Sequence, residues 1–254
     1  VLDLCTGTGC IPLLFHHEFY AQADRRDAAL ELVGVDVSGA ALSVARENLI
    51  QRIADQKNVD QEFSACRHSL QRIGFVQADV LKTSLDASSS DPPPVLEALE
   101  RWRSDDKRRD YDILIANPPY ISPREFRLTT SRSVRLFEPQ LALVPASEPS
   151  LSDIDIGDRF YPRLLEIALQ VDAKIVLFEV ADMAQARRVV SMAIKRGVWD
   201  EMEIWRDEPG GNSSAIECIH VDGVDVEVHG SGNGRSVVAR RQRLPKAISS
   251  HEHE

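Results

Sequence analysis

The chain has 254 residues, 43% of them hydrophobic and 28% charged, which suits one α/β domain with insertions, and no apolar run approaches membrane-spanning length. Its net charge of −10 opposes a broad nucleic-acid-binding face, because each phosphate contact wants a cation. The four cysteines, Cys5, Cys10, Cys66 and Cys218, have neither C-x-x-C spacing nor a secretory context and read as reduced and intracellular, and the seven histidines do not group as metal ligands.

The chain opens without Met directly on Val1 to Leu4, a short core strand, which reads as a fragment or processed form. That strand runs into Cys5-Thr6-Gly7-Thr8-Gly9-Cys10, after which Ile11, Leu13, Leu14 and Phe15 start a helix. Strand, glycine turn and helix form a nucleotide-binding arrangement in which Gly7 and Gly9 allow a tight turn and close approach to a ligand. Neither the dinucleotide fingerprint nor a P-loop is spelled out, and a plain strand-to-helix turn would look much the same. Leu32 to Asp36 is the next strand, ending on a carboxylate suited to accept both hydroxyls of a ribose. Asp36 follows Gly9 at longer than usual spacing because Gln22 to Asp27 forms a surface insertion, and Ser38 is better placed than Asp36 to cap the following helix. That helix carries Leu42, Ala45, Leu49 and Ile53 on one face. Residues 54–72 are a polar extension or insertion. A third strand, Gly74 to Val80, ends at Asp79, whose carboxylate could meet an adenine edge or simply start a turn. Ser88 to Pro94 is a low-complexity loop, and Arg101 to Asp110 a solvated charged run.

The fourth strand, Tyr111 to Ala116, stops at Asn117-Pro118-Pro119-Tyr120. The two prolines lack backbone donors and fix φ, and Pro118 pushes Asn117 out of the helical region. A polar side chain, stiff carbonyls and an aromatic ring are thereby held rigidly at a strand's carboxyl end, where α/β proteins place their sites. From Ile121 to Ser133 the chain is loop-like, and Phe137 to Leu143 leads into a polar loop through Asp155. Asp158 can cap a helix bearing Phe160, Leu164, Ile167 and Ala168. Lys174 to Val180 is a fifth strand, followed by a helix with Met183, Ala186, Val190 and Ala193 on one face and Lys195-Arg196-Gly197 as its ending. Glu203 to Arg206 and Ala215 to Val221 are the last strands, and residues 222–254 read as a disordered tail. Strands alternating with helices imply an α/β fold, a mostly parallel sheet with helices on both faces.

Several motifs together resemble class I S-adenosylmethionine-dependent methyltransferases, and specifically the HemK/PrmC family of protein-(glutamine-N5) methyltransferases that modify peptide-chain release factors. They are Asp3 to Ile11, Asp36-Val37-Ser38 with Ala41-Leu42, Gln77-Ala78-Asp79, Asn117 to Ile121, Glu138-Pro139 with Ala142-Leu143, and Phe160-Tyr161. The glycine loop marks the superfamily, Asn-Pro-Pro-Tyr the enzymes that methylate planar nitrogens, and Glu138-Pro139 with its followers the glutamine branch. The resemblance implies a Rossmann-like class I methyltransferase fold with a seven-stranded sheet over residues 1–221, with insertions near 54–72 and 84–110. It implies S-adenosyl-L-methionine as cofactor, with Cys5, Thr6, Gly7, Thr8 and Gly9 along its methionine part, Asp36 at the ribose, Asp79 and Val80 flanking adenine, and Asn117 at the methyl group. Asn117, Pro118 and Tyr120 would be catalytic, and Asn117, Pro118, Pro119, Tyr120 and Glu138 would bind the substrate, with no metal. The partner implied is a release factor, with no membrane and no direct nucleic-acid binding. Cys5 stands where the family often has glycine. Bacterial members carry an N-terminal helical domain, which this chain starts after, and the Cys-Thr-Gly-Thr-Gly-Cys loop resembles a mitochondrial rather than a cytosolic branch. Two other readings fit some of the same residues: a DNA or RNA base amino-methyltransferase, and a non-catalytic methyltransferase-like binding module.

Overall fold

The structure is a computed structural model that describes residues 1–55, 64–83, 92–103, 110–146, 150–210 and 216–241. Five short apolar segments form its parallel centre: β1 (Leu2–Leu4), β2 (Val33–Asp36), β3 (Gly74–Gln77), β4 (Ile113–Ala116) and β5 (Ile175–Glu179). They lie in the order β3-β2-β1-β4-β5, with Leu2 opposite both Val33 and Leu114. Chain order reverses between β1 and β4, so the crevice at their carboxyl ends is the topological switch point where open α/β sheets bind ligands.

Alternation along the strands assigns the helices to two faces. Phe75 packs with Leu42, Ala45 and Leu70, from α2 (Gly39–Asp55) and α3 (Ser64–Gln71), while Leu13 and Phe15 of α1 (Cys10–Ala21) join from the side. Its neighbour Val76 points the other way, into a larger core with Leu2, Leu4, Val33 and Val35 and three further helices. These are α4 (Val95–Trp102), α8 (Phe160–Gln170) and α9 (Met183–Arg196). Between them in sequence lie three short helices, α5 (Pro123–Leu128), α6 (Arg132–Phe137) and α7 (Asp153–Asp158). Among the described residues, no helix is long and apolar enough to cross a membrane.

Beyond β5 the sheet turns mixed. Here β6 (Glu201–Glu208), β7 (Glu217–Val221), β8 (Val224–His229) and β9 (Ser231–Arg240) complete nine strands among the described residues, where the resemblance implied seven. The last strand, β9, inserts antiparallel between β5 and β6, with Leu177 opposite Val238.

Three expectations are corrected. Residues 224–240, read as disordered, form β8 and β9: Val226 and Val228 alternate with acids in period two, and the glycines around Gly230 make a turn between strands. Only 242–254 of that tail lies outside the described residues. Within the polar stretches near 54–72 and 84–110, read as insertions, the described residues form α3 and α4, the rest of each lying largely outside the described residues. The loop-like 121–133 folds into α5 and the start of α6, capped by Ser122 and Ser131. Asp158 caps nothing: Ser152 caps α7 in a capping box with Asp155, and the Asp158 carboxylate is buried.

Candidate functional site

The glycine loop is shaped by its backbone. The Thr6 N–H donates to the Val35 carbonyl (2.9 Å) and the Gly9 N–H to the Thr6 carbonyl (3.0 Å), while Cys5, Gly7 and Gly9 adopt φ of 62°, 56° and 77°. A Cβ on Gly7 would meet nothing within 4 Å, so its face is open to a ligand. Gly9 differs: its Cβ would lie 2.7 Å from the Phe75 ring. The second glycine therefore lets α1 pack on β3 and, contrary to expectation, presents its bare face to the core. Thr6 is buried, and Thr8 is exposed with its carbonyl held by Asn48 (3.0 Å).

Asp36 accepts the Gly7 N–H on one oxygen and the Ser38 N–H on the other, both at 2.8 Å, while the Ser38 hydroxyl caps α2 through Ala41. A carboxylate oxygen carries two acceptor positions. Asp36 thus braces the loop and keeps capacity for a pair of hydroxyls. Asp79 accepts the Leu81 N–H (2.9 Å) and sends its own N–H to Pro93 (2.9 Å), the turn-starting geometry. The Val80 carbonyl is held by Arg163 (3.2 Å).

Asp3 completes this half. It is 1% exposed on the α1–α2 face of β1, and neither carboxylate oxygen has a hydrogen-bond partner among the described residues. Burial pushes its carboxyl up to about 7. The Cys5 thiol is raised well above its usual range, first by burial and then by the charges of Asp36, Asp3 and Asp79. Asp36, Asp3 and Asp79 thus all lie near enough for their charges to act on the Cys5 thiol.

At the end of β4, Pro118 is buried, Pro119 and Tyr120 are half-buried, and Asn117 is exposed with no hydrogen bond to its side chain among the described residues. The Tyr120 hydroxyl donates to Glu179 at the end of β5 (2.8 Å), and its carbonyl accepts from the Gln185 amide of α9 (3.3 Å). The same Gln185 NH₂ reaches the Gly157 carbonyl (3.1 Å) and Asp158 (3.0 Å), and its oxygen accepts the Ala181 N–H (2.7 Å). Arg188 pairs with the Asp158 carboxylate, and the Ile121 N–H donates to Leu143 (3.0 Å). Burial, then Glu179, pushes the Tyr120 phenol well above its usual range, so it stays a donor.

Cys5 to Gly9, Asp36, Asp79 and Asn117 to Tyr120 thus come together along one sheet edge. Glu138 does not join them: it is exposed at the end of α6, and no hydrogen bond or ion pair links its carboxylate to Asn117 or Tyr120 among the described residues.

No family model matches the chain. Curated relatives do. The "Probable MRF1 mitochondrial N(5)-glutamine methyltransferase mtq1" of Schizosaccharomyces pombe is 30% identical over 201 residues, 76% of this chain and 51% of the relative. The "Release factor glutamine methyltransferase" of Bacillus subtilis is 28% identical over 217 residues, covering 82% and 65%. The chain is a homologue of the release factor glutamine methyltransferases. A third relative, the "Mitochondrial MRF1 N(5)-glutamine methyltransferase MTQ1" of Saccharomyces cerevisiae, is 30% identical over 144 residues, 57% of this chain and 32% of its own length. The chain spans 51% of the S. pombe relative and less of the S. cerevisiae one.

For a homologue of these methyltransferases, sequence reading missed three residues at the candidate site. Asp3 had a signal, a carboxylate inside an apolar strand. Glu179 ends a strand just as Asp36 does, but no local motif marks it. Gln185 had no signal, because a glutamine in a helix's first turn normally faces water, and only the fold turns it inward.

Proposed function

We propose that the protein transfers a methyl group from S-adenosylmethionine to the side-chain amide N5 of a glutamine in the Gly-Gly-Gln loop of a peptide-chain release factor. The observation that carries this reading is the exposed, unengaged Asn117 amide at the end of β4, beside the carboxylate-lined glycine loop at the end of β1. The residues fit the cofactor. Its sulfonium and ammonium charges suit a loop on which the charges of Asp36, Asp3 and Asp79 act, its ribose suits the remaining acceptor positions of Asp36, and Gly7 leaves room for its methionine part. Asp79 and Val80 line the adenine end, and Thr6, Thr8 and Cys5 the loop. When bound, S-adenosylmethionine supplies an electrophilic methyl group.

The protein must then make an amide nitrogen attack. Its lone pair is delocalised into the carbonyl, which makes it a poor nucleophile. The Asn117 side-chain oxygen and the Pro118 carbonyl each accept one N–H of the substrate amide, orienting the nitrogen and stabilising the positive charge it gains with the methyl group until one of those two protons is lost to water. Pro118 and Pro119 keep these acceptors rigid. The Tyr120 ring lies against the planar amide, and an electron-rich face tolerates the nearby cation. Glu138 acts as an outlying contact to the release factor. The protein works in the mitochondrion, as its yeast relatives' names say of them.

Incubating the protein with S-adenosylmethionine and a release factor, followed by peptide mass spectrometry, is expected to add one methyl group to the Gly-Gly-Gln glutamine. Methyl transfer to nucleic acid in place of the release factor overturns the reading.

A further inference from the structure

We propose that Glu179 is a positioning residue for this reaction: its hydrogen bond to the Tyr120 hydroxyl anchors the far end of the ring against which the substrate amide lies. The inference rests on the function proposed above and adds a residue to it. Ala116 is opposite Phe178, so the next residues, Asn117 and Glu179, leave adjacent strands at the same level. Glu179 therefore reaches the far end of the Tyr120 side chain (2.8 Å) while Gln185 holds its carbonyl (3.3 Å). Tyr120 is tied at both ends, main chain and phenol, so the ring cannot swing away from its place at the end of β4 without breaking a bond.

A purely structural role for the Glu179 carboxylate is disfavoured by what else holds β5. The strand is laddered to β4 on one side and β9 on the other, and the Glu179 carbonyl separately accepts the Tyr161 hydroxyl (2.9 Å). Removing the carboxylate leaves all of these. Behind it stands Arg235 of β9, paired with Asp207 of β6 (2.8 Å) and close enough to act on both Tyr120 and Glu179. Arg235 supplies a countercharge for a carboxylate at an edge that already gathers Asp3, Asp36 and Asp79.

The test is a double-mutant cycle in the intact protein with a release factor as substrate. Glu179→Ala is expected to lower kcat about tenfold, with KM and cofactor Kd within about twofold of wild type. Glu179→Gln, whose amide oxygen can accept the same hydrogen bond, restores kcat to within about threefold. In a Tyr120→Phe background, Glu179→Ala causes no further loss, because the two act as one unit. Additive losses, or a Gln variant as slow as the Ala variant, overturn the proposal. A readout independent of turnover accompanies these: in protein labelled at tyrosine ¹³Cζ, the Tyr120 resonance, assigned from Tyr120→Phe, moves in Glu179→Ala, and an unmoved resonance also overturns it. A wild-type protein that transfers no methyl to the release factor refutes the function itself, whereas wild-type transfer with an additive cycle refutes only the role of Glu179.

Discussion

The carboxyl ends of β1 to β3 and those of β4 and β5 lie along one sheet edge, yet different forces hold them. In the first region the contacts are mostly main chain, or reach a carboxylate from the loop itself: Thr6 to Val35, Gly9 to Thr6, Gly7 and Ser38 to Asp36. In the second, Asn117 to Tyr120 is braced by side chains from far along the chain: Glu179 lies 59 residues and Gln185 65 residues from Tyr120. The glycine loop is braced from β2 and α2, by Asp36 29 residues from Gly7 and Asn48 40 residues from Thr8. The second region depends on α9, β5 and β9 for its shape.

The sharpest way to break this contrast is to compare one residue from each side. Asn117→Ala is expected to lower kcat by about 100-fold or more, the scale of losing one aligned transition-state contact, with cofactor Kd within about twofold. Asp36→Ala should do the reverse, weakening cofactor binding about tenfold or more as measured by calorimetry. Equal losses of cofactor affinity in both would erase the division. Next in size is Gln185→Ala. It strips the partners from the Tyr120 and Gly157 carbonyls and from the Ala181 N–H in a site 3% exposed. A cost of about 2–3 kcal/mol in urea unfolding follows from leaving such groups unpaired. A variant as stable as wild type would mean that water enters and replaces the side chain.

The same contrast explains what could be read from the chain. The parallel centre was legible because each strand is a short apolar run between turn signals, and the glycine loop and Asp36 because their geometry is local. Asn117 to Tyr120 was legible as rigid, since two prolines say so, but what it leans on was not. Gln185 and Glu179 become neighbours of Tyr120 only through the strand order β1-β4-β5-β9, which no pattern near them specifies. Strands β8 and β9 were misread because Gly230, Gly232 and Gly234 look like a flexible tail until it is known that the first joins the two strands and the other two lie within β9.

Asp3 offers a test confined to the first region. Its folded carboxyl titrates at about 7, above the ordinary 3.8, because it is buried. The folded state therefore holds a proton that the unfolded state has released between those values. Its contribution to stability is fully present below the unfolded value and is lost as pH rises through about 7. A cofactor ammonium near Asp3 favours the ionised form, so cofactor Kd is expected to fall severalfold from about pH 6 to about pH 8. Asp3→Asn should flatten that profile. A slope that persists in the Asn variant would assign the titration to another group.

The smallest expected effect concerns Cys5, which adopts φ of 62° although it is not glycine. A left-handed conformation costs an L-residue about 1–2 kcal/mol. Replacing Cys5 by glycine removes that strain, but it also removes a side chain packed against the larger core and adds about 0.5–1 kcal/mol of backbone entropy to the unfolded chain. These terms nearly cancel, so Cys5→Gly alone decides little. Alanine makes the comparison informative. Cys5→Ala loses the sulfur contacts and keeps the strained φ, so the glycine variant should be the more stable of the two by up to about 1 kcal/mol in urea unfolding, despite having the smaller side chain. If alanine proves equal or better, the loop must relax out of its left-handed turn when the thiol is removed, and the turn itself would then depend on the Cys5 side chain.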